Sequence, residues 1–234
     1  MTRFHRCSSL LFATPLLLLS AVAGSVAVAA PADQVIPIAE ARKLPMGTSV
    51  TIYGVVSTPS GAFESSFYDK GFGLQDASAG IYISTQTLFK IAKPPKRAQI
   101  TGVLKDQSGL LVVVPAADTE VKFPIGFAYN AADASTIAPK PLKTAEVGEA
   151  NEGWIVQVHG KITQAPASDA PYGFKFSVDD GSGEALIFVN TQTGIPMSGL
   201  AVGQVVSVTG FSSQYDTHHE VDPRSPADIT TTKP

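Results

Sequence analysis

Cysteine is almost missing from this chain: of 234 residues, Cys7 is the only one. That excludes a disulfide scaffold and a cysteine-based zinc site. Charge is also scarce, at 16% of residues where about 25% is usual. With 17 Lys and Arg against 20 Asp and Glu, a strongly basic, chromatin-like protein is excluded. Enzyme signatures are absent as well: there is no Gly-x-Ser-x-Gly elbow and no phosphate loop, and Gly71-Phe72-Gly73 lacks the third glycine of a dinucleotide fingerprint. No metal site is expected either. Asp179-Asp180-Gly181-Ser182-Gly183-Glu184 lacks the alternating ligand spacing of a calcium loop and reads as a hairpin turn. In His218-His219-Glu220, neighbours on a strand point to opposite faces, and the only histidine elsewhere beyond residue 32 is His159. These absences predict a non-enzymatic protein without a cofactor. What remains is 44% hydrophobic, with a mean hydropathy of +0.15, 20 Gly and 17 Pro: a packed, turn-rich chain.

The first 32 residues have the pattern of a secretory signal. Arg3 and Arg6 form the charged start, an apolar run follows from Leu10 to Ala23, and small residues come after it. Two cuts fit, after Ala29 or after Ala32, and the second, before Asp33, is preferred. The run is shorter than the roughly 20 residues a spanning helix needs, so cleavage rather than anchoring, and no stable membrane insertion afterwards, is expected. Cys7 precedes the run, whereas a lipid-modified cysteine would follow it. Loss of Arg3 and Arg6 leaves 15 basic against 20 acidic residues, a formal charge of −5, and a periplasmic or secreted location is expected.

The remaining chain is one unit written twice. Ile38-Ala39-Glu40 matches Thr144-Ala145-Glu146, and Gly47 and Gly54 match Gly153 and Gly160, all at an offset of 106. Asp76 matches Asp180 at 104, and Thr85-Gln86-Thr87 recurs as Thr191-Gln192-Thr193 at 106. Thr101-Gly102 matches Thr209-Gly210, and Pro115 matches Pro223, at 108. Within each unit apolar residues alternate, the period of a strand with one buried face. Val50 and Ile52 point inward with Thr51 and Tyr53 outward; Val156 and Val158 point inward with Gln157 and His159 outward. Gly54 and Gly160 then bend each first strand, as a small barrel requires.

Hairpins follow at Phe72 to Ile83 and Phe176 to Val189, turning at Asp76-Ala77-Ser78-Ala79-Gly80 and Asp180-Gly181-Ser182-Gly183. Fourth strands are expected over 98–103 and 205–210, and fifth strands over 110–114 and 219–221. The Ala- and Pro-rich stretch 124–141 reads as a linker between a first domain, 33–123, and a second, 142–234. The expected class is therefore all-β, two tandem five-stranded Greek-key barrels after a cleaved signal peptide.

The string Gly47-Thr48-Ser49-Val50-Thr51-Ile52-Tyr53-Gly54-Val55-Val56, with Gly73-Leu74-Gln75-Asp76 and Ile81-Tyr82-Ile83, resembles the OB-fold nucleic-acid-binding domains of exported bacterial proteins. Phe176-Ser177-Val178-Asp179-Asp180-Gly181-Ser182-Gly183 and Leu200 to Gly210 look like the same family's hairpin and fourth strand. Lys93-Pro94-Pro95-Lys96-Arg97 departs from the pattern that Ala201-Val202-Gly203-Gln204-Val205 keeps. The resemblance implies a binding role, with no nuclease segment carried over.

Single-stranded nucleic acid needs flat rings for stacking and cations along the backbone. In the first unit the candidates are Tyr53 and Tyr82 on outward strand positions, Phe67 and Tyr68 in the first long loop (which also holds Phe63), and Lys93, Lys96, Arg97 and Lys105. In the second they are Lys161, Lys175, Phe188 as the match of Tyr82, and Tyr215. From Asp33 to Asn130 there are nine basic and eight acidic residues; from Ala131 to Pro234 there are six and twelve, a field that repels phosphate. The leading expectation is single-stranded nucleic acid on the first barrel, with Tyr82 as its main platform. The alternative is a protein or oligosaccharide partner, which the same fold also takes. A small cationic ligand on the acidic second barrel is a third reading.

Overall fold

The computed structural model describes residues 34–91, 97–123 and 137–231. The expected signal segment and its cut, most of the 124–141 linker, and the candidates Lys93 and Lys96 lie outside the described residues.

The first half contains β1 (Val35–Ile36), α1 (Ile38–Ala41), β2 (Ser49–Val56), α2 (Glu64–Phe67), β3 (Phe72–Gln75), β4 (Gly80–Ile83), β5 (Arg97–Gln107), β6 (Leu110–Val114) and β7 (Val121–Lys122). The second contains β8 (Lys140–Pro141), β9 (Ile155–Asp169), β10 (Gly173–Asp179), β11 (Glu184–Asn190), β12 (Val205–Tyr215), β13 (His218–Asp222) and β14 (Ile229–Thr231).

Strand order in the first sheet is β1-β2-β3-β4-β6-β5-β7, and pairing of β2 with β5 closes five of these strands into a barrel. The second sheet repeats this with β9-β10-β11-β13-β12, closed by β9 with β12. In each barrel the third and fifth strands run parallel, Tyr82 beside Val112 and Leu186 beside Glu220, which is the Greek-key signature of the OB arrangement. Two five-stranded all-β barrels are thus present, flanked by short edge strands. Lys140–Pro141, at the end of the stretch read as linker, is one of these, pairing with Val156 and Gln157.

The bent first strand is realised as its glycine predicts. β9 pairs with β12 up to Lys161 and with β10 from Lys161 onward, so one strand serves both sides of the barrel. β2 does the same, with β5 up to Val55 and with β3 at Val55 and Val56. The crossing requires close backbone approach: a Cβ on Gly54 would lie 2.7 Å from the Gln75 carbonyl oxygen, and one on Gly160 2.5 Å from that of Asp179.

The duplicated turn acids also do duplicated work. Asp76 accepts from the backbone of Ile38 at 2.8 Å, and Ser78 Oγ accepts from Ala39 at 3.1 Å. In the second unit Asp180 accepts from Thr144 Oγ1 at 2.8 Å, and Ser182 Oγ accepts from Ala145 at 3.2 Å. Each hairpin turn therefore latches the segment that leads into its own barrel. These bonds hold both carboxyls below the usual carboxylate range: in Asp76 they outweigh burial, which pushes the other way, and in Asp180 the Ser182 and Thr144 hydroxyls lead.

Alternation fills two interiors, Ile52, Phe72, Leu74, Ile81, Ile100 and Leu104 in one, and Val156, Val158, Phe176, Ile187, Val206 and Val208 in the other. A third apolar cluster lies between the barrels. It joins Phe63, Phe67, Tyr82, Leu110 and Val112 of the first to Ile155 and Phe211 of the second. Polar contacts surround it: Gln75 Oε1 accepts from the backbone of Ile155 at 3.0 Å, Arg224 Nη1 donates to the Ser57 carbonyl at 3.1 Å, and the backbone of Asp216 donates to that of Ser108 at 2.6 Å.

Candidate functional site

An OB barrel presents ligands with the outer face of its second and third strands and the loops beside them. In the first barrel that face is β3 and β4, and the second barrel lies on it. Gly73 stands opposite Tyr82 across the hairpin, and Phe211 fills the space this leaves: its ring is 3.1 Å from where a Cβ of Gly73 would be. Tyr82 has 0% of its surface exposed. Its ring sits 4.7 Å from Phe67 and 5.9 Å from Phe211, and its hydroxyl donates to Asp69 Oδ1 at 2.9 Å. Burial raises both Tyr82 and Asp69 above their ordinary values.

The outward position expected for Tyr82 is thus correct for the barrel but not for the molecule. Tyr82 and Phe67 hold the barrels together and offer no ring for stacking. Phe188 is buried as well, on the outer face of β11. Nor is it the counterpart of Tyr82. The hairpins superpose as Gln75 opposite Gly80 and Asp179 opposite Glu184, which matches Tyr82 with Leu186 and puts the repeat's two-residue drift after the hairpin.

The expected cations are scattered. Arg97 lies over the half-buried Tyr53, its guanidinium carbon 5.9 Å from the ring centre. Lys105 is exposed on the same strand as Arg97, roughly 25 Å further along at strand rise. Lys161 is at the crossing point of β9, and Lys175 is on β10, paired with Asp169 at 3.4 Å.

What the structure does bring together is a rim of tyrosines where the barrels meet. Tyr68 ends α2 in the left-handed conformation, φ 55°, which turns it out of the first barrel's long loop with 66% of its surface exposed. The ring of Tyr172 meets it edge-on at 5.5 Å, from the tight turn between β9 and β10. Tyr215, 46% exposed at the end of β12, lies 6.1 Å from the His218 ring. A hydrogen bond with Tyr172 and the nearby phenols of Tyr172 and Tyr215 push Tyr68 up to about 12. The Tyr172 carbonyl is fixed across the seam by Ser65 Oγ at 2.7 Å and from its own barrel by Thr191 Oγ1 at 2.7 Å.

Behind the rim lies a buried acidic floor. Burial, and then the charge of Asp169, push Glu220 up to about 8 against the pull of Lys175. Asp222 is deeper still, raised well above the carboxylate range by burial and by Glu220 against the pull of Ser213. Of the residues expected from sequence, Tyr68, Tyr215 and Lys175 fall at this site. Tyr172, Asp169 and Glu220 were missed. An aromatic between Pro171 and Gly173 in a tight turn was the available signal for Tyr172; nothing local marks the other two.

No protein-family model matches this chain, and no curated protein matches it. It is similar to several solved structures. An OBody, AM1L10, bound to hen egg-white lysozyme is 19% identical over 42% of this chain and 97% of its own, with a TM-score of 0.34. The hypothetical protein ygiW from E. coli is 16% identical over 41% and 90%, with a TM-score of 0.29. A murine DNA-binding protein bound to double-stranded DNA is 12% identical over 80% and 97%, with a TM-score of 0.39. The OB assignment here rests on the strand pairing itself.

Chemically, the rim offers flat rings, phenol hydroxyls and one lysine already paired with a carboxylate. Among the described residues no group of three or more His, Cys, Asp and Glu is placed to hold a metal ion.

Proposed function

We propose that this is an exported, non-enzymatic binding protein that takes a short neutral oligosaccharide on the tyrosine rim. One observation carries the reading: Tyr68 and Tyr172 meet edge-on at 5.5 Å from the loops of the two barrels, with Tyr215 near enough to act on the Tyr68 phenol, while the outer face of β3 and β4 is closed by Phe211. Tyrosine supplies an apolar face for the C–H side of a sugar ring and a hydroxyl for its polar edge. OB barrels take oligosaccharides with the loops that build this rim. Charge argues against phosphate here. Lys175 is held by Asp169, and residues 131–234 carry twelve acidic residues against six basic. The amino-terminal signal pattern and the absence of catalytic motifs support export and binding without turnover.

The test is calorimetric titration of the protein with neutral oligosaccharides and, separately, with a single-stranded oligonucleotide at low and physiological salt. Saturable, salt-insensitive sugar binding is expected, about tenfold weaker in Tyr68→Ala or Tyr215→Ala. Oligonucleotide binding that weakens steeply with salt, with no sugar binding, would overturn the proposal.

A further inference from the structure

Among the described residues Tyr68 and Tyr172 are the tyrosines whose rings touch, and they come from different barrels. Their rings meet edge-on at 5.5 Å, a separation that leaves ring carbons near van der Waals contact, and a hydrogen bond joins their hydroxyls. The ring carbons ortho to each hydroxyl are therefore close together.

The two backbones are held in that relation. Ser65 Oγ donates to the Tyr172 carbonyl at 2.7 Å and Asn190 Nδ2 donates to Ser66 Oγ at 2.5 Å, so α2, which Tyr68 caps, is bonded to the second barrel from two neighbouring residues. The amide of Tyr172 also donates to the Asp169 carbonyl at 2.9 Å. Tyr68 keeps the freedom to turn, because 66% of its surface is exposed. One ring is fixed, the other can rotate onto it, and solvent reaches the pair.

The other described tyrosines lack this arrangement. Tyr53 is half-buried beneath Arg97, Tyr82 is sealed in the seam, and Tyr215 has His218 as its ring neighbour. The usual covalent tie is missing as well: no cysteine stands beyond residue 32, in a protein whose export is proposed above.

We propose that Tyr68 and Tyr172 form an oxidative cross-linking site, at which hydrogen peroxide, used by a haem peroxidase, couples the two rings into a dityrosine that ties one barrel to the other. Each phenol gives up one electron and its hydroxyl proton to become a phenoxyl radical. The radicals join by a carbon–carbon bond between ortho positions, and the hydrogen on each joined carbon moves as a proton to its ring oxygen, which restores two phenols. Two hydrogen atoms leave the protein, and one hydrogen peroxide takes them up to become two waters. Because the rings are already side by side, coupling within one molecule outruns coupling between molecules. The site shares the rim with the sugar reading and does not depend on it.

The experiment treats the full chain, in dilute solution, with hydrogen peroxide and a haem peroxidase, follows the blue emission of dityrosine, and maps the link by peptide mass. A monomer is expected in which the peptides holding Tyr68 and Tyr172 are joined with two hydrogens missing. Tyr68→Phe and Tyr172→Phe keep the ring and its packing without the hydroxyl, and each should lower the emission about tenfold. Tyr215→Phe should leave it unchanged. The linked protein should unfold about 5 °C above the unlinked one, since a tie across a loop of about 100 residues removes entropy from the unfolded chain. Four results would each overturn the proposal: no dityrosine, a link between other tyrosines in comparable yield, undiminished emission in Tyr68→Phe or Tyr172→Phe, or a linked protein that unfolds at the unlinked temperature.

Discussion

Tyr82 shows how one side chain is spent on assembly instead of on a ligand. It lies against Phe67 and Phe211 and gives its hydroxyl to Asp69, which also accepts from Ser84 Oγ and from the backbone of Gly71. Tyr82→Phe removes one donor from a buried carboxyl that keeps two others, and should lower stability by about 1–2 kcal/mol in urea titration. Tyr82→Ala leaves a cavity as well and should cost about 3–5 kcal/mol. Neither should change affinity at the rim once the protein is folded. Glu220 predicts a pH response. Its ordinary value is 4.5, and in the folded chain it stands at about 8. Between these the folded state keeps a proton that the unfolded state has lost, so its contribution is intact below the lower value and is lost as pH rises through the upper one. Urea midpoints should therefore fall from about pH 5 to about pH 8, and Glu220→Gln, which cannot ionise, should flatten that slope.

At the scale of elements, much was legible in advance. Period-two alternation located the strands, and Gly54 and Gly160 marked the bend, because backbone crowding at Gln75 and Asp179 leaves no room for a side chain. The turn acids Asp76 and Asp180 were legible as hairpin chemistry, but not as latches on Ile38 and Thr144, partners 36 to 38 residues away. The fourth strands run further than alternation indicated, to Gln107 and Tyr215, because their ends pair with β6 and β13. Gly80 is a feature of the seam: its backbone meets that of Gly153, which has φ +84°, because neither carries a side chain. Gly80→Ala would press a methyl into Gly153 and to 2.9 Å from the Trp154 amide nitrogen. It should destabilise the protein by about 1–3 kcal/mol in thermal unfolding, with Trp154 more open to iodide quenching.

At the scale of the molecule, the barrels depend on each other. The cluster of Phe63, Phe67, Tyr82, Leu110, Val112, Ile155 and Phe211 is as apolar as a barrel interior, and separation would open it to water. Residues 137–231 expressed alone should self-associate in gel filtration, and adding residues 34–123 should recover a one-to-one complex. The intact chain should unfold in one cooperative transition. A second barrel that eluted as a stable monomer would show that the seam is dispensable.

The sequence by itself determined the repeat, the five barrel strands of each unit, the bend and the turns, since each depends on residues a few positions apart and on which side of a strand they lie; the short edge strands were not legible in it. It also supplied Tyr68, Tyr215 and Lys175, three members of the rim, without their neighbours. Only the tertiary structure decided which outer face was covered and which stayed open. Alternation separates inside from outside for one barrel, but what lies on the outside depends on how Phe211 and Ile155 dock against Tyr82, contacts that join residues 70 or more positions apart and leave no local pattern.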